Sequence, residues 1–322
     1  MLFRNSIRLL TENFKNVYKI LLYQFIVGLV AGALCVAMIL PELTELVNSA
    51  PVQDLLTELK AFFTALFAAD AEQLELVKEN IFGDSGAFRR LSDLLLSKTA
   101  GIVLAAVGCL IVYLLKRFAD TLCFFAVGGV MNDKMSSYTE TPFAASYVKN
   151  IGKACRYALV YVPIAFAFDV ATLGIAFLVF RLFGILTALS FSMTVIVLVQ
   201  ALKLTLTSRW MPSMITDGTR LRNSLRSEDK TEKKQRAKMF STYLVSVYGV
   251  VIINVIAAIC TFGSALILTV PASYFLFICE HFVHYYTVKG KKYFITFERI
   301  ASNPDRGDRE HFFDYIEDTN EK

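Results

Sequence analysis

Six runs of about 20 mostly apolar residues govern what this chain can fold into. They cover residues 20–40, 94–115, 157–180, 182–202, 240–261 and 264–283. A helix rises about 1.5 Å per residue, so each run is long enough to cross about 30 Å of hydrocarbon. One such run could be a buried core helix. Six of them, in a chain that is 55% hydrophobic and only 19% charged, define an integral membrane protein. Lipid offers no hydrogen bonds, so every backbone N–H and C=O in a span must be paired within it, and the expected class is all-α.

The charges between the runs set the orientation, because lysine and arginine resist translocation. Arg4, Arg8, Lys15 and Lys19 precede the first run. Residues 41–93 carry ten acids against four bases, whereas residues 203–238 carry ten bases against four acids. Lys116 and Arg117 follow the second run, Lys149, Lys153 and Arg156 precede the third, and Lys289, Lys291 and Lys292 follow the sixth. Every second connection is basic. A multi-pass protein of the cell membrane with both termini in the cytoplasm is expected. The first run has basic flanks and no small-residue cleavage site, so it reads as a retained span. The six cysteines lie in or beside apolar runs without a CxxC pair and read as small hydrophobes. Membrane lipids are the expected partners of the basic face, together with another membrane or envelope protein. Nucleic acid is not, since no basic soluble module is present.

The runs group into three hairpins, and their flanks rhyme. "RNSIR" (4–8) precedes the first and "RNSLR" (222–226) the fifth, while "AASYVKNIGKACRYALV" (144–160) is a looser version before the third. Exits rhyme as well, in "KRFADTLCFFAVGGVMNDK" and "KLTLTSRWMPSMITDGTR", each read as a helix leaving along the inner surface. A threefold internal repeat of parallel units would produce this pattern.

The stretches "WMPSMITDGTRLRNSLR" and "FGSALILTVPASYFLFICEHFVHYY" carry a resemblance to a diffuse group of bacterial six-helix membrane proteins. That group is related to the membrane domain found beside glycerophosphoryl diester phosphodiesterases, and most of its members have no assigned activity. The resemblance covers roughly residues 1–290 and implies a six-helix membrane domain. Nothing in the chain resembles the phosphodiesterase catalytic domain, so that activity is not implied.

The expected organisation is a membrane domain over 1–290 and a polar, mobile cytoplasmic tail over 291–322. The domain includes an extracytoplasmic helical insert at 41–93 and the basic loop at 203–238. Within the insert, apolar residues at 52, 55, 56, 59, 62, 63, 66 and 67 form a helical stripe, and "AEQLELVKENIF" adds a second helix. Such a stripe calls for burial against the bilayer, the bundle or a partner.

Few residues carry candidate chemistry. Asp169 lies within the third run, where a carboxylate costs about 2.5–3.5 kcal/mol on insertion scales unless partnered or protonated. It is either a proton or cation relay, or a neutral carboxyl hydrogen-bonded near Asn254 or a backbone carbonyl. In the second case Asp169→Asn would be tolerated. Arg220, Arg222 and Arg226 beside Trp210 could contact lipid phosphate or another anion, although a topology-setting loop would look alike. Glu280, His281 and His284 share a helix face and are weak metal candidates. Their order is E-H-x-x-H rather than the H-E-x-x-H of zincins, and a further ligand is not in sight. They read as the wet end of the last helix. No cofactor is expected, and no nucleophile motif, P-loop or dinucleotide fingerprint occurs. The sequence therefore favours a non-catalytic scaffold, assembly or accessory factor. A transporter or channel using Asp169 is the alternative, and a lipid-handling membrane enzyme is the second.

Overall fold

The computed structural model describes residues 2–68, 70–83, 86–183, 185–226, 230–297 and 299–301. It is 87% helical, and six of its helices are long and apolar enough to cross a membrane. The protein is an all-α, multi-pass membrane protein. Its helices are α1 (Leu2–Glu12), α2 (Lys15–Val47), α3 (Ala50–Ala68), α4 (Ala71–Phe82), α5 (Ala87–Ser97), α6 (Thr99–Ser137), α7 (Phe143–Leu182), α8 (Ile185–Thr207), α9 (Trp210–Thr216), α10 (Leu221–Arg226), α11 (Lys230–Cys260) and α12 (Leu266–Val288). The chain divides into two compact units, one of Met1–Ile26 with Arg117–Lys322 and the other Val27–Lys116.

In the first unit, α7 packs on α8, α8 on α11, α11 on α12, and α12 on α1. Helices α6 and α7 have 39 and 40 residues, so each is about 60 Å long, twice the hydrocarbon thickness. Part of each must therefore stand in headgroups or water, where apolar burial is driven by water in a way that lipid cannot match. The main core gathers Leu9 and Val17 near the N-terminus, Phe125 and Met131 of α6, Tyr157 of α7, Met211 and Met214 of α9, and Phe275, Phe282 and Tyr286 of α12. The span helices differ in enclosure. Only 6% of the apolar window of α6 is buried, against 44% for α12, which makes α12 the central helix.

Local chemistry fixes the joints. At "CTFGS" the chain reverses between α11 and α12 through Gly263 at φ 86°, whose N–H donates to the Ala258 carbonyl. That left-handed conformation suits a residue without Cβ. The Ser146 hydroxyl donates to the Ala126 carbonyl at 2.7 Å, and a Cβ on Gly129 would lie 2.4 Å from Ser146 Oγ. Glycine at 129 is what lets α7 approach α6. Asn132 of α6 accepts from Thr216 of α9 at 2.7 Å and from Tyr286 of α12 at 3.0 Å, joining three elements through one amide.

Beyond α12 the chain does not become free at residue 291. Two short strands, β1 (Tyr293–Phe294) and β2 (Ile300–Ala301), pair antiparallel, and Tyr293, Ile295 and Ala301 enter the main core. The Tyr293 hydroxyl accepts from Asn5 at 3.1 Å. These apolar residues fall in two short groups within a stretch that begins and ends with charged and polar residues, which hid them. Residues 302–322, including the rest of the expected tail, lie outside the described residues.

In the second unit, α3, α4 and α5 pack on one another. The insert is thus three helices: the third, α5, takes the first residues of the run at 94–115, and the long helix starts at Thr99. Asp70 caps α4 by accepting from the N–H groups of Glu72 and Gln73. Much of the stripe on α3 stays uncovered, with Leu56, Leu59, Phe63, Leu66 and Phe67 all exposed and Phe67 at 87%. A groove of about 390 Å³ between α2 and α6 is lined by Ile39, Leu43, Leu46 and Ile102, with Glu42, Glu45 and Lys98 among its lining residues.

Candidate functional site

Within the first unit, α6, α7, α8, α11 and α12 surround a cavity of about 520 Å³. Asp169, from the middle of α7, lines it and is met by three donors. Arg117 Nη2 of α6 lies 2.5 Å from Oδ2, Lys203 Nζ of α8 lies 3.3 Å from Oδ1, and Gln200 Nε2 donates to Oδ1 at 3.1 Å. Gln200 and Lys203 are three residues apart on α8 and so share one helix face. Asp120, one turn beyond Arg117 on α6, also lines the cavity. Asp169 is 21% exposed at its side chain and Lys203 10%, so the cluster is reachable from the cavity without being open.

The expected neutral carboxyl near Asn254 is not what the helices build. Asp169 sits in a two-cation ion cluster, the arrangement of a carboxylate. Lys203 and Arg117 read along the chain as topology-setting bases at helix ends, and that reading concealed their inward placement. The useful signal was Gln200 three residues before Lys203, a polar pair on one face of an otherwise apolar run. Asn254 lines the same cavity from α11 but bonds elsewhere. It donates to the Val250 carbonyl and to Ser273, and accepts from Thr269 at 2.6 Å, tying α11 to α12.

Glu280, His281 and His284 are 0%, 7% and 2% exposed, so these last turns of α12 are buried and are not a wet end. The three do not converge. Ser246 of α11 donates to Glu280, and the Tyr243 hydroxyl of α11 lies 3.1 Å from His281 Nδ1. Among the described residues, no three His, Cys, Asp or Glu side chains are placed to hold a metal ion. The reason the reading failed is that α11 and the start of α9 wrap the last turns of α12, which a helical wheel of α12 alone cannot show. His281 faces both the large cavity and a smaller one of about 50 Å³, which is also lined by Ser208, Arg209, Trp210, Ser224, Arg236 and His284.

Trp210 packs half-buried against the main core. Arg220 and Arg222 are exposed at the start of α10 and are not brought to either cavity. The Arg226 side chain lies outside the described ones. Next to this segment, Asp217 accepts from the Tyr285 hydroxyl and from Lys291, each at 2.5 Å. Burial alone would push its carboxyl up, but those bonds and the Lys291 and Lys289 charges hold it below the ordinary aspartate range.

Comparison with family models, curated proteins and solved structures finds no match to this chain.

Proposed function

We propose that this protein is a carrier that binds a polar or amphipathic solute in the cavity at Asp169 and moves it across the cell membrane. One observation supports this above the rest: a ligand-sized cavity within the bundle is lined by an ion cluster of Arg117, Asp169 and Lys203. Ionisable groups inside spans are costly and commonly mark solute or ion pathways. Cavities of about 300–1,000 Å³ are the usual size for small ligands. Alternation of basic and acidic connections supports cytoplasmic termini, with the α3–α5 helices on the far side.

The proposed architecture behind it is three hairpins in a threefold repeat, within the six-helix bacterial group resembled by residues 1–290. Supporting this, "RNSIR" and "RNSLR" lie on the short helices α1 and α10, each just before a long one. Ser6, Ser146 and Ser224, at matching places in the three rhyming segments, are all buried. The two exit segments and the end of α12 meet where Asn132 accepts from Thr216 and Tyr286.

Solvent access separates carrier from inert bundle. Ser273→Cys, placed in the cavity of an otherwise cysteine-free chain, is expected to react with a water-soluble thiol reagent in membranes. Leu173→Cys, on an exposed apolar face, is expected not to, because the thiolate needed for reaction does not form in lipid. Silence at Ser273→Cys in both intact cells and inverted vesicles would remove the carrier reading. The accessory-factor reading would then stand on the uncovered apolar face of α3, which suits a membrane or envelope partner.

A further inference from the structure

We propose that the Arg117–Asp169–Lys203 cluster is the head-group site for an amphipathic carboxylate, which binds together with one proton taken up by Asp169. This rests on the carrier reading and names its substrate class.

Three observations carry it. The first is spare donor capacity. An ammonium has three N–H donors, and Asp169 Oδ1 is the one acceptor Lys203 meets among the described residues. Its side chain is nine-tenths buried, yet it lines the cavity. The second is shape. Guanidinium, ammonium and amide already grip one carboxylate, that of Asp169, so a substrate carboxylate presents the acceptor geometry those donors fit. Away from the cluster the lining is mostly apolar, with Ala165, Ile196, Val250 and Phe277 beside the uncharged polar Asn254 and Ser273, which suits an aliphatic body rather than a second charge.

The third observation is charge balance. Two cations, Arg117 and Lys203, face two carboxylates, Asp169 and Asp120. The other titratable groups on the cavity wall are Tyr157 and Tyr161 of α7 and Tyr274 and His281 of α12. An added anion would leave one uncompensated negative charge at a largely buried cluster, which is strongly disfavoured. Protonating Asp169 removes that charge. The carboxyl takes H⁺ from water, loosens its hold on Lys203, and the substrate carboxylate accepts from the ammonium in its place. One anion and one proton enter, so the step is electroneutral.

Titration calorimetry on the purified full chain in maltoside micelles tests this with octanoate, using octanol and octylammonium to measure partition into the micelle. Octanoate should bind saturably, with about tenfold tighter apparent Kd per pH unit lowered between pH 8 and 6, as one linked proton requires. Buffers of different ionisation enthalpy should report one proton taken up per octanoate. Asp169→Asn should keep binding and lose both the pH slope and the proton uptake. Lys203→Gln should weaken binding at least tenfold. Octylphosphonate binding as tightly as octanoate would overturn the carboxylate assignment. Saturable binding without proton uptake, or binding of octylammonium or octanol alone, would overturn the proposal while leaving the carrier reading intact. Failure of the carrier reading shows separately, as an unreactive Ser273→Cys.

Discussion

The two compact units use similar apolar sequence in opposite ways. In Met1–Ile26 with Arg117–Lys322, polar and charged side chains are pulled inward: Asn5, Asn16, Asp120, Lys203, Glu280 and His284 are all buried. In Val27–Lys116 the buried side chains among the described residues are Ala65, Val77, Ile81, Ala87 and Val112, and the polar groups stay outside. Among the ion pairs, Arg117–Asp169–Lys203 is largely enclosed, while Arg90–Asp54 and Lys98–Glu45 of the second unit, and Lys15–Glu140 of the first, are open to solvent. Lipid solvates an apolar surface at no cost, so apolar spans need not pack tightly to be stable there. A polar group has no such freedom, and wherever one enters a span the helices must close around it. Tight packing in this protein follows the polar residues.

That contrast can be broken by mutation. The largest effect is expected for Asp169→Leu, which removes the carboxylate that both Arg117 and Lys203 meet. Removing one partner of an enclosed ion cluster costs on the order of 3 kcal/mol. Thermal unfolding in detergent should show Tm lowered by several degrees. Asp169→Asn keeps the shape but not the charge and should fall between Leu and wild type. Unchanged Tm in Asp169→Leu would mean that the cluster is solvated like a surface pair.

A smaller effect is expected at Asp217, at the edge of the same unit. Its folded-state pKa is depressed, so its contribution is present at neutral pH and lost as pH falls through and below the ordinary aspartate value of about 3.9. With its side chain 28% exposed, the contribution should be about 1 kcal/mol or less. Tm recorded from pH 6 to pH 3 should fall less steeply in Asp217→Asn than in wild type. Identical acid limbs would remove Asp217 from the account of acid stability.

The smallest effect is expected in the second unit. Lys98→Ala breaks the pair with Glu45, whose carboxylate is 63% exposed, and should cost no more than about 0.5 kcal/mol. A Tm shift matching that of Asp169→Leu would erase the distinction between the units.

Much of the fold was readable along the chain. Period and length alone placed six spans, the stripe on α3 and the helix "AEQLELVKENIF", which α4 reproduces residue for residue. Helix class in lipid is a local matter, since each span pairs its own backbone. Asp169 also stood out, because an acid within an apolar run is rare. Its partners did not. Arg117 and Lys203 sit 52 and 34 positions away, and their chemistry at a helix end looks the same whether they point to headgroups or into the bundle. Glu280, His281 and His284 misled for the converse reason. Three polar residues near a helix end look wet until α11 is laid across them.

Apolar run length thus determined, without tertiary information, that this is a helical multi-pass membrane protein. Run length acts through the interaction between a segment and its solvent, which the segment's own composition specifies. Only the tertiary structure decided which face of α8 turns inward, that Tyr293, Ile295 and Ala301 return to the core, and that three distant side chains close on Asp169. Those outcomes depend on helix–helix contacts, and in lipid such contacts are chosen by the fit of small and polar groups across an interface rather than by hydrophobicity.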